Sequence, residues 1–395
     1  MDVMTENKVV PKLRFPSFNE GWSSSTLNCL TKLITKGTTP KFFTPEGVSF
    51  VKIQGLDGIH IRKEKCLYID ENTHFNYLKR SILKVDDILF AIAGATIGKV
   101  GVVTNDILPA NTNQALAIIR LKNSNYLNYI LQILQSTVMK KYIYKNISVG
   151  AQPNLSLQQI NDFKFFIPSL DEQQKIAYFL SAVDEKFQQL TKKKELLEEY
   201  KKGIMQKIFS QELRFKDESG NNYPDWEEKK LGAVCNIKKG KQLNKIELTE
   251  SGLYPALNGG INPSGYTDKW NTEKETITIS EGGNSCGYLN LSKTRFWCGG
   301  HCYALLELQS NINFKYLFQI LKFSENQIMR LRVGSSLPNI QMKEINKFLV
   351  KLPEIAEQLN IANFLSAIDR KTELVNTQIE NTKAFKKGLL QQMFV

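Results

Sequence analysis

Histidine is scarce in this 395-residue chain: His60, His74 and His301 are the whole complement. That leaves little for His-based acid–base or nucleophilic catalysis. The six cysteines have no framework spacing, which argues against a disulfide-stapled domain and for a reducing compartment. No apolar run approaches the ~20 residues of a membrane span. Ile88 to Ala95 is among the longest, and Gly94 interrupts it. The opening MDVMTENK lacks a positive segment followed by an apolar one, so no signal peptide is expected and the expected compartment is the cytoplasm. There is no G-x-x-x-x-G-K-S/T loop for ATP. No Gly-rich cofactor loop follows a strand either; Gly94 and Gly98 do not make one. The nearest approach to a metal site is Cys298-Gly299-Gly300-His301-Cys302 with Cys286 upstream. Strand alternation would send His301 and Cys302 to opposite faces, and the paired knuckles of a structural zinc site are missing. No metal is expected there, and buried cysteine is the preferred reading.

What the chain has is a duplication. PSLDEQQKIAYFLSAVDEK from Pro168 returns as PEIAEQLNIANFLSAIDRK from Pro353, a gapless shift of 185 residues. Tyr200-Lys201-Lys202-Gly203 returns as Phe385-Lys386-Lys387-Gly388, and Gln206 and Phe209 as Gln391 and Phe394. Apolar residues recur in steps of three and four, or sums of them, at Ile176, Leu180, Val183, Phe187, Leu190, Leu197, Ile204 and Ile208, with Lys194 and Lys201 interrupting the series without breaking its phase. The second copy continues in the same phase at Ile361, Leu365, Ile368, Val375, Ile379, Leu389 and Met393. Such a seam over about five heptads predicts two helices in coiled-coil packing. At ~1.5 Å per residue, about 37 residues give ~55 Å, the length of ~16 base pairs. Phe179, Ala182, Phe364 and Ala367 lie off the seam and need either a module or a partner to cover them. Pro168 and Pro353 are expected in the first helical turns. Asp171, Glu172, Glu354 and Glu357 follow, suited to the positive end of a helix dipole.

The halves share more than the helices. Leu13-Arg14-Phe15, Trp22 and Leu27 parallel Leu213-Arg214-Phe215, Trp226 and Leu231, and Lys36-Gly37 parallels Lys239-Gly240. Ahead of the helices, VGAQPNL from Val149 corresponds to VGSSLPNI from Val333. Between these landmarks the sequences diverge into short β-rich runs punctuated by Gly and Asn, with helices predicted over residues 126–144 and 314–331. Each half reads as an α+β module of about 140 residues. The expected segments are residues 1–167, a first recognition module with an N-terminal segment; 168–212, a central helix; 213–352, a second module; and 353–395, a C-terminal helix. The first helix runs into Leu213-Arg214-Phe215, while the second ends at Val395. If the helices are antiparallel, that end comes to the equivalent Leu13-Arg14-Phe15. The expected fold is therefore α+β, with two globular modules separated by two long antiparallel coiled-coil helices, pseudo-two-fold and circular in topology.

The net charge is +13 and the pI about 9.2. Residues 168–209 hold 8 Lys/Arg against 7 Asp/Glu, and residues 353–395 hold 5 against 5, so nearly all the excess lies in the modules. A neutral scaffold carrying basic modules suits a nucleic-acid binder. Ordinary solubility charge is the alternative.

The order of variable module, constant helix, variable module, constant helix resembles the specificity subunit of type I restriction-modification enzymes, over nearly the whole chain from Leu13 to Phe394. The likeness rests on Glu172-Gln173 and Glu357-Gln358, Ile176-Ala177 and Ile361-Ala362, and Phe179-Leu180-Ser181 and Phe364-Leu365-Ser366. The openings LRFP and DWEEKKL and the run GGNSCGYL add to it. The resemblance implies a non-catalytic subunit that recognises a bipartite site in double-stranded DNA. Each module would read one half-site through the major groove, and the helices would fix the unread spacer. It implies two modification (methyltransferase) subunits that bind S-adenosylmethionine and methylate adenine. It also implies two restriction (ATP-dependent translocase/endonuclease) subunits using ATP and Mg. No cofactor is expected on this chain, and no membrane. The helices would dock the modification subunits. The helix-pair and partner interface is expected at Ile176, Phe179, Leu180, Val183, Phe187, Leu190, Leu197, Ile204, Ile361, Phe364, Leu365, Ile368, Val375, Ile379 and Leu389. Base readout needs polar and basic side chains at loop tips. The candidates are Lys36, Thr38, Thr39, Lys41, Gln54, Gln152 and Asn154 in the first module. In the second they are Lys239, Lys241, Gln242, Asn258, Asn284, Ser285, Ser335 and Ser336. All of these types are also common in plain turns.

Two other readings stay open: a DNA methyltransferase or nuclease acting alone, and a coiled-coil adaptor that binds only proteins. Against the first, Asn262-Pro263-Ser264-Gly265 starts like the Asn-Pro-Pro-aromatic motif of adenine methyltransferases but lacks the second proline and the aromatic. Asp184-Glu185-Lys186 falls on a helix face and carries little weight as a nuclease site.

Overall fold

The computed structural model describes residues 9–147, 153–334 and 338–395. Its contacts gather into two compact units, Met1–Leu190 with Thr377–Val395, and Thr191–Asn376. Each unit takes in one module and parts of both long helices.

In the first unit the central antiparallel sheet consists of β1 (Thr31–Lys36), β2 (Ile88–Ala91), β3 (Val100–Val102) and β4 (Leu116–Leu121), in the order β1-β4-β2-β3. β2 and β4 are apolar at almost every position because both of their faces are covered. Ile88, Phe90, Ala117 and Ile119 pack with Tyr129, Ile130 and Ile176. Leu89, Ala91, Leu116 and Ile118 pack with Val51, Leu56 and Ile107. A smaller sheet centres on Val48–Val51, antiparallel to Leu67–Ile69 and parallel to Ala110–Thr112. A ribbon joins Ser23–Thr26 to Lys164–Ile167.

The second unit repeats this order with β5 (Asn236–Lys239), β6 (Ile277–Ser280), β7 (Leu289–Leu291) and β8 (Cys302–Leu306), arranged β5-β8-β6-β7. The smaller sheet centres on Tyr254–Leu257, again antiparallel to one strand (Gly265–Thr267) and parallel to another (Trp297–Cys298). Glu227–Lys230 and Leu349–Leu352 form the ribbon. The interiors that diverge in sequence therefore share one topology. The alternation that sustains it is intact: Ile277, Ile279, Tyr303 and Leu305 face the large core, and Cys302 and Ala304 the small one with Phe296.

The single helices expected over residues 126–144 and 314–331 are each broken in two. Leu127–Gln135 is followed by Thr137–Asn146, and Phe314–Phe323 by Glu325–Met329. Ser136 makes the first break: its backbone is extended and its hydroxyl accepts from Met139 N–H. Serine is suited to that capping role. Ser324 occupies the second break.

The duplicated segments are α1 (Leu170–Phe209, 40 residues) and α2 (Ile355–Gln392, 38 residues). At ~1.5 Å per residue they extend ~60 and ~57 Å. Pro168 and Pro353 lie ahead of the helices and not in their first turns. Their carbonyls accept from Gln173 Nε2 and Gln358 Nε2, both at 2.9 Å. Within each unit the two helices run antiparallel. In the first, Asp184 meets Lys386 at 2.5 Å and Phe187 lies under Lys383. In the second, Lys194 meets Asn376 at 2.8 Å and Lys201 meets Asp369 at 2.6 Å. Asp184–Lys386 and Asp369–Lys201 are the same pair under the shift of 185 residues.

The start of one helix and the end of the other share each module core. Ile176 and Leu180 are buried with Leu389, Leu390, Met393 and Phe394. Ile361, Leu365 and Ile368 are buried with Met205, Ile208 and Phe209, against which Ile204 packs. The off-seam phenylalanines pack on their own unit: Phe179 meets Phe15 edge-on and Phe364 meets Phe215, both at 5.8 Å between centroids. Val183 packs on the first core. Farther along the seam Leu190, Val375 and Ile379 are buried, and Phe187 and Leu197 half-buried. One backbone bond recurs in both units. Leu13 N–H donates to Gln392 O, and Leu213 N–H to Lys207 O, each at 3.0 Å.

Candidate nucleic-acid interface

In both units the first strand of the central sheet runs into a loop that must cross another backbone closely. Gly37 N–H donates to Leu116 O and Thr38 N–H to Thr112 O; Gly240 N–H donates to Cys302 O and Lys241 N–H to Cys298 O. A Cβ on Gly37 would sit 1.9 Å from the Thr112 carbonyl oxygen, and one on Gly240 2.3 Å from that of Gly299. Only glycine permits this approach. Beside the crossing stands a tight hairpin tip, closed by Gly98 N–H to Ala91 O at 3.0 Å in one unit and Gly287 N–H to Ser280 O at 2.9 Å in the other. Each tip docks on a Pro-Asn segment. Gly94 N–H donates to Pro153 O and Gly283 N–H to Pro338 O, both at 3.0 Å. Asn154 bridges Ala93, and Asn339 bridges Gly282. The strand ends tie these parts together: Ile92 N–H donates to Ala115 O and Glu281 N–H to His301 O, both at 2.9 Å.

Of the first-module candidates, Lys36, Thr38, Thr39 and Asn154 lie exposed on this frame. Thr39 Oγ1 donates to Gln114 Oε1 at 2.5 Å, a partner that sequence reasoning missed. Lys41 turns towards the Tyr77 ring, and Gln54 sits in the turn Ile53–Gly55. Among the described residues no contact ties either to the hairpin tip. Gln152 lies outside the described residues. In the second module Lys239, Lys241, Gln242, Asn258, Asn284 and Ser285 gather on the frame. Asn258 Oδ1 accepts from His301 N–H at 3.1 Å, and Ser285 Oγ donates to Gly259 O at 2.5 Å, so both hold loops in place. Asn284 is exposed at the tip. Ser335 and Ser336 lie outside the described residues.

The second frame carries a polar cluster that the sequence reading passed over. The Glu281 side chain is 6% exposed, and its Oε1 lies 2.5 Å from Lys239 Nζ. The Tyr303 hydroxyl donates to the same oxygen at 2.9 Å. Glu281 Oε2 lies 3.5 Å from His301 Nδ1. Burial is the largest single influence on the Glu281 carboxyl and would raise its pKa. The bonds from Lys239 and Tyr303, with the charges of Lys239 and His301, outweigh it and hold the carboxyl below its usual value. Burial, then Glu281, push the Tyr303 phenol up. The only hint in the sequence was a single acid closing the alternating run TITIS.

Cys286, Cys298 and Cys302 are buried, while His301 is directed at Glu281. Among the described residues no cluster of three or more His, Cys, Asp or Glu is placed to hold a metal ion. Nor, among them, is any helix long and apolar enough to cross a membrane. Residues 1–167 hold 20 Lys/Arg against 12 Asp/Glu, and residues 210–352 hold 19 against 15, so the first module carries the larger positive excess. On the helices, Tyr178, Leu196, Tyr200, Leu374 and Phe385 present large apolar side chains to solvent. Tyr200 and Phe385 are equivalents under the repeat.

The family model for the type I restriction modification DNA specificity domain matches the chain twice, at residues 19–199 and 223–383. A Mycoplasma pneumoniae protein named as a type I specificity subunit is 34% identical over 176 residues, 44% of this chain and 47% of that protein. The match to a similarly named Mycoplasma genitalium protein covers 46% of it, so the chain spans about half the length of these two relatives. A Methanocaldococcus jannaschii protein named as a type I restriction enzyme specificity subunit is 25% identical over 94% of this chain and 92% of its own. In fold, the crystal structure of a type I restriction-modification S subunit from M. genitalium superposes with a TM-score of 0.67 at 20% identity, covering 98% of this chain and 99% of that one. The chain, with two copies of the domain over most of its length, belongs to the type I restriction-modification DNA specificity family.

Proposed function

We propose that this chain is the non-catalytic, sequence-specific DNA-binding subunit of a type I restriction-modification complex acting in the cytoplasm. Residues 1–167 would read one half of a bipartite site, residues 213–352 the other, and the helical segments 168–212 and 353–395 would fix the unread spacer. The observation that carries this is the repeated frame. Strand order, glycine crossing and docked hairpin tip are the same in both units, while the side chains at the rim differ. One geometry with two sets of polar rim residues suits the reading of two different sequences. The basic balance of both modules supplies the attraction to phosphate. Two modification and two restriction subunits would be the partners, carrying S-adenosylmethionine, ATP and Mg. The exposed Tyr178, Tyr200 and Phe385 offer apolar contacts for docking on the helices.

The test is selection from a randomised duplex library by the chain purified with the modification subunits of its host. The expected product is two short defined blocks at a fixed separation. Replacing residues 213–352 by those of a relative should change one block only. Methyl transfer by the chain alone, or the absence of any selected motif, would overturn the proposal.

A further inference from the structure

The two frames superimpose in hydrogen-bond register, so their differences can be read position by position. Ile340 N–H donates to Glu281 O as Leu155 N–H does to Ile92 O. Tyr303 lies opposite Lys239 across the sheet as Ala117 lies opposite Lys36. His301 occupies the place of Ala115, since each carbonyl accepts from the corresponding strand end. The first module thus completes this corner with Ile92, Ala115 and Ala117. The fold does not require a polar cluster there. A buried carboxylate is costly unless paired and hydrogen-bonded, yet the second module keeps one and gives it Lys239, Tyr303 and His301. What the cluster achieves is outward. Lys239 and His301 remain 48% and 63% exposed; Glu281 binds the Lys239 ammonium at 2.5 Å, and His301 Nδ1 lies 3.5 Å from its other oxygen.

We infer that Glu281 is a positioning residue that fixes Lys239 and His301 as the specificity-determining pair of the second module, with Lys239 directed at a guanine edge of its half-site. A lysine ammonium is a donor only, and guanine presents two acceptors, N7 and O6, in the major groove. A free lysine spends its charge on any phosphate; one with an N–H tied to a carboxylate keeps two donors, both directed away from that carboxylate. Lys36, the counterpart of Lys239, lies exposed on the first frame opposite Ala117, where no carboxylate replaces Glu281.

This rests on the DNA-reading role proposed above. The test uses the same randomised duplex library with the wild-type chain and with Glu281→Gln, Glu281→Ile, Lys239→Ala and His301→Ala, each purified with the host's modification subunits. Glu281→Ile borrows the residue that the first module already accommodates. The expected result is loss of a guanine preference, roughly 5- to 100-fold, in one block with the other block intact. Glu281→Gln should make the salt dependence of binding slightly steeper, because the released Lys239 can add a phosphate contact, whereas Lys239→Ala should not. Lys239→Ala and Glu281→Gln should relax the same position, and His301→Ala a position in the same block. A motif unchanged in all variants would overturn the inference alone, as would equal degradation of both blocks. A wild-type chain that selects no motif would overturn the DNA-reading role itself.

Discussion

The carboxylates of Glu172 and Glu357 are buried at matching places near the start of each long helix, but they are not equally provided for. Arg14 grips Glu172 through Nε and a terminal nitrogen, both at 2.7 Å. Arg214 grips Glu357 in the same way at 3.2 and 2.8 Å, and Trp226 Nε1 adds a third bond at 3.0 Å. Its equivalent, Trp22 Nε1, has no partner among the described residues. Removing an arginine strands a buried charge, which typically costs about 3–5 kcal/mol. Arg14→Ala is therefore expected to lower unfolding free energy by that order and Arg214→Ala by less, as read from denaturant midpoints of the two variants. Equal losses would mean that the tryptophan bond contributes nothing. At this scale the sequence was legible where the constraint is local. Gly37 and Gly240 follow a lysine at the end of a strand and can be recognised as turn glycines. Glu281 was not legible, because Lys239 and Tyr303 lie 42 and 22 residues away and nothing in the local pattern announces them.

Among elements, the long helices were the most legible, since one phase of three-and-four spacing runs through both copies. The strands were legible as strands, but their order was not. Pairing of β1 with β4 and of β5 with β8 depends on contacts across 81 to 90 and 64 to 70 residues, about which alternation is silent. The breaks at Ser136 and Ser324 were hidden for the opposite reason: apolar spacing continues across them, and the pieces are separated only by a side-chain cap at Ser136 and by a change of backbone angle at Ser324. If the helices set the separation of the half-sites, their length is a quantity that can be edited. Four residues inserted after Leu190 add about one turn and ~6 Å, so the seam returns to within ~40° of its phase. The spacer in the selected motif should grow by ~1–2 base pairs at ~3.4 Å each. A motif with an unchanged gap, from a variant whose helical circular dichroism is intact, would refute the ruler.

At the scale of the molecule, the bond from Leu13 to Gln392 has its counterpart in the bond from Leu213 to Lys207. In the second unit the chain runs straight from the helix into that bond; in the first, the two partners come from opposite regions of the sequence. A chain opened before Leu213, with Val395 joined to Met1 through a short flexible linker, is accordingly expected to fold and to select the same motif. Loss of a cooperative thermal transition would argue against it. The duplication and the order of modules and helices were legible because they are written as repeated letters. The common topology of the two interiors was not, because the same strands are built there from different residues.

The equivalence of the two ends reaches further. Leu390, Met393 and Phe394 close the first core as Met205, Ile208 and Phe209 close the second, and each is the other's counterpart under the repeat. A chain cut after Leu213 still owns a module and a helix whose last turns match those it has lost. Two such half-length chains can each lend the other its missing helix end, and symmetry then takes the place of covalent linkage. The expected product is a homodimer, visible by light scattering, whose selected motif is an inverted repeat of the first block. A monomer that selects nothing would show that the two halves, alike in frame, have become dependent on their differences.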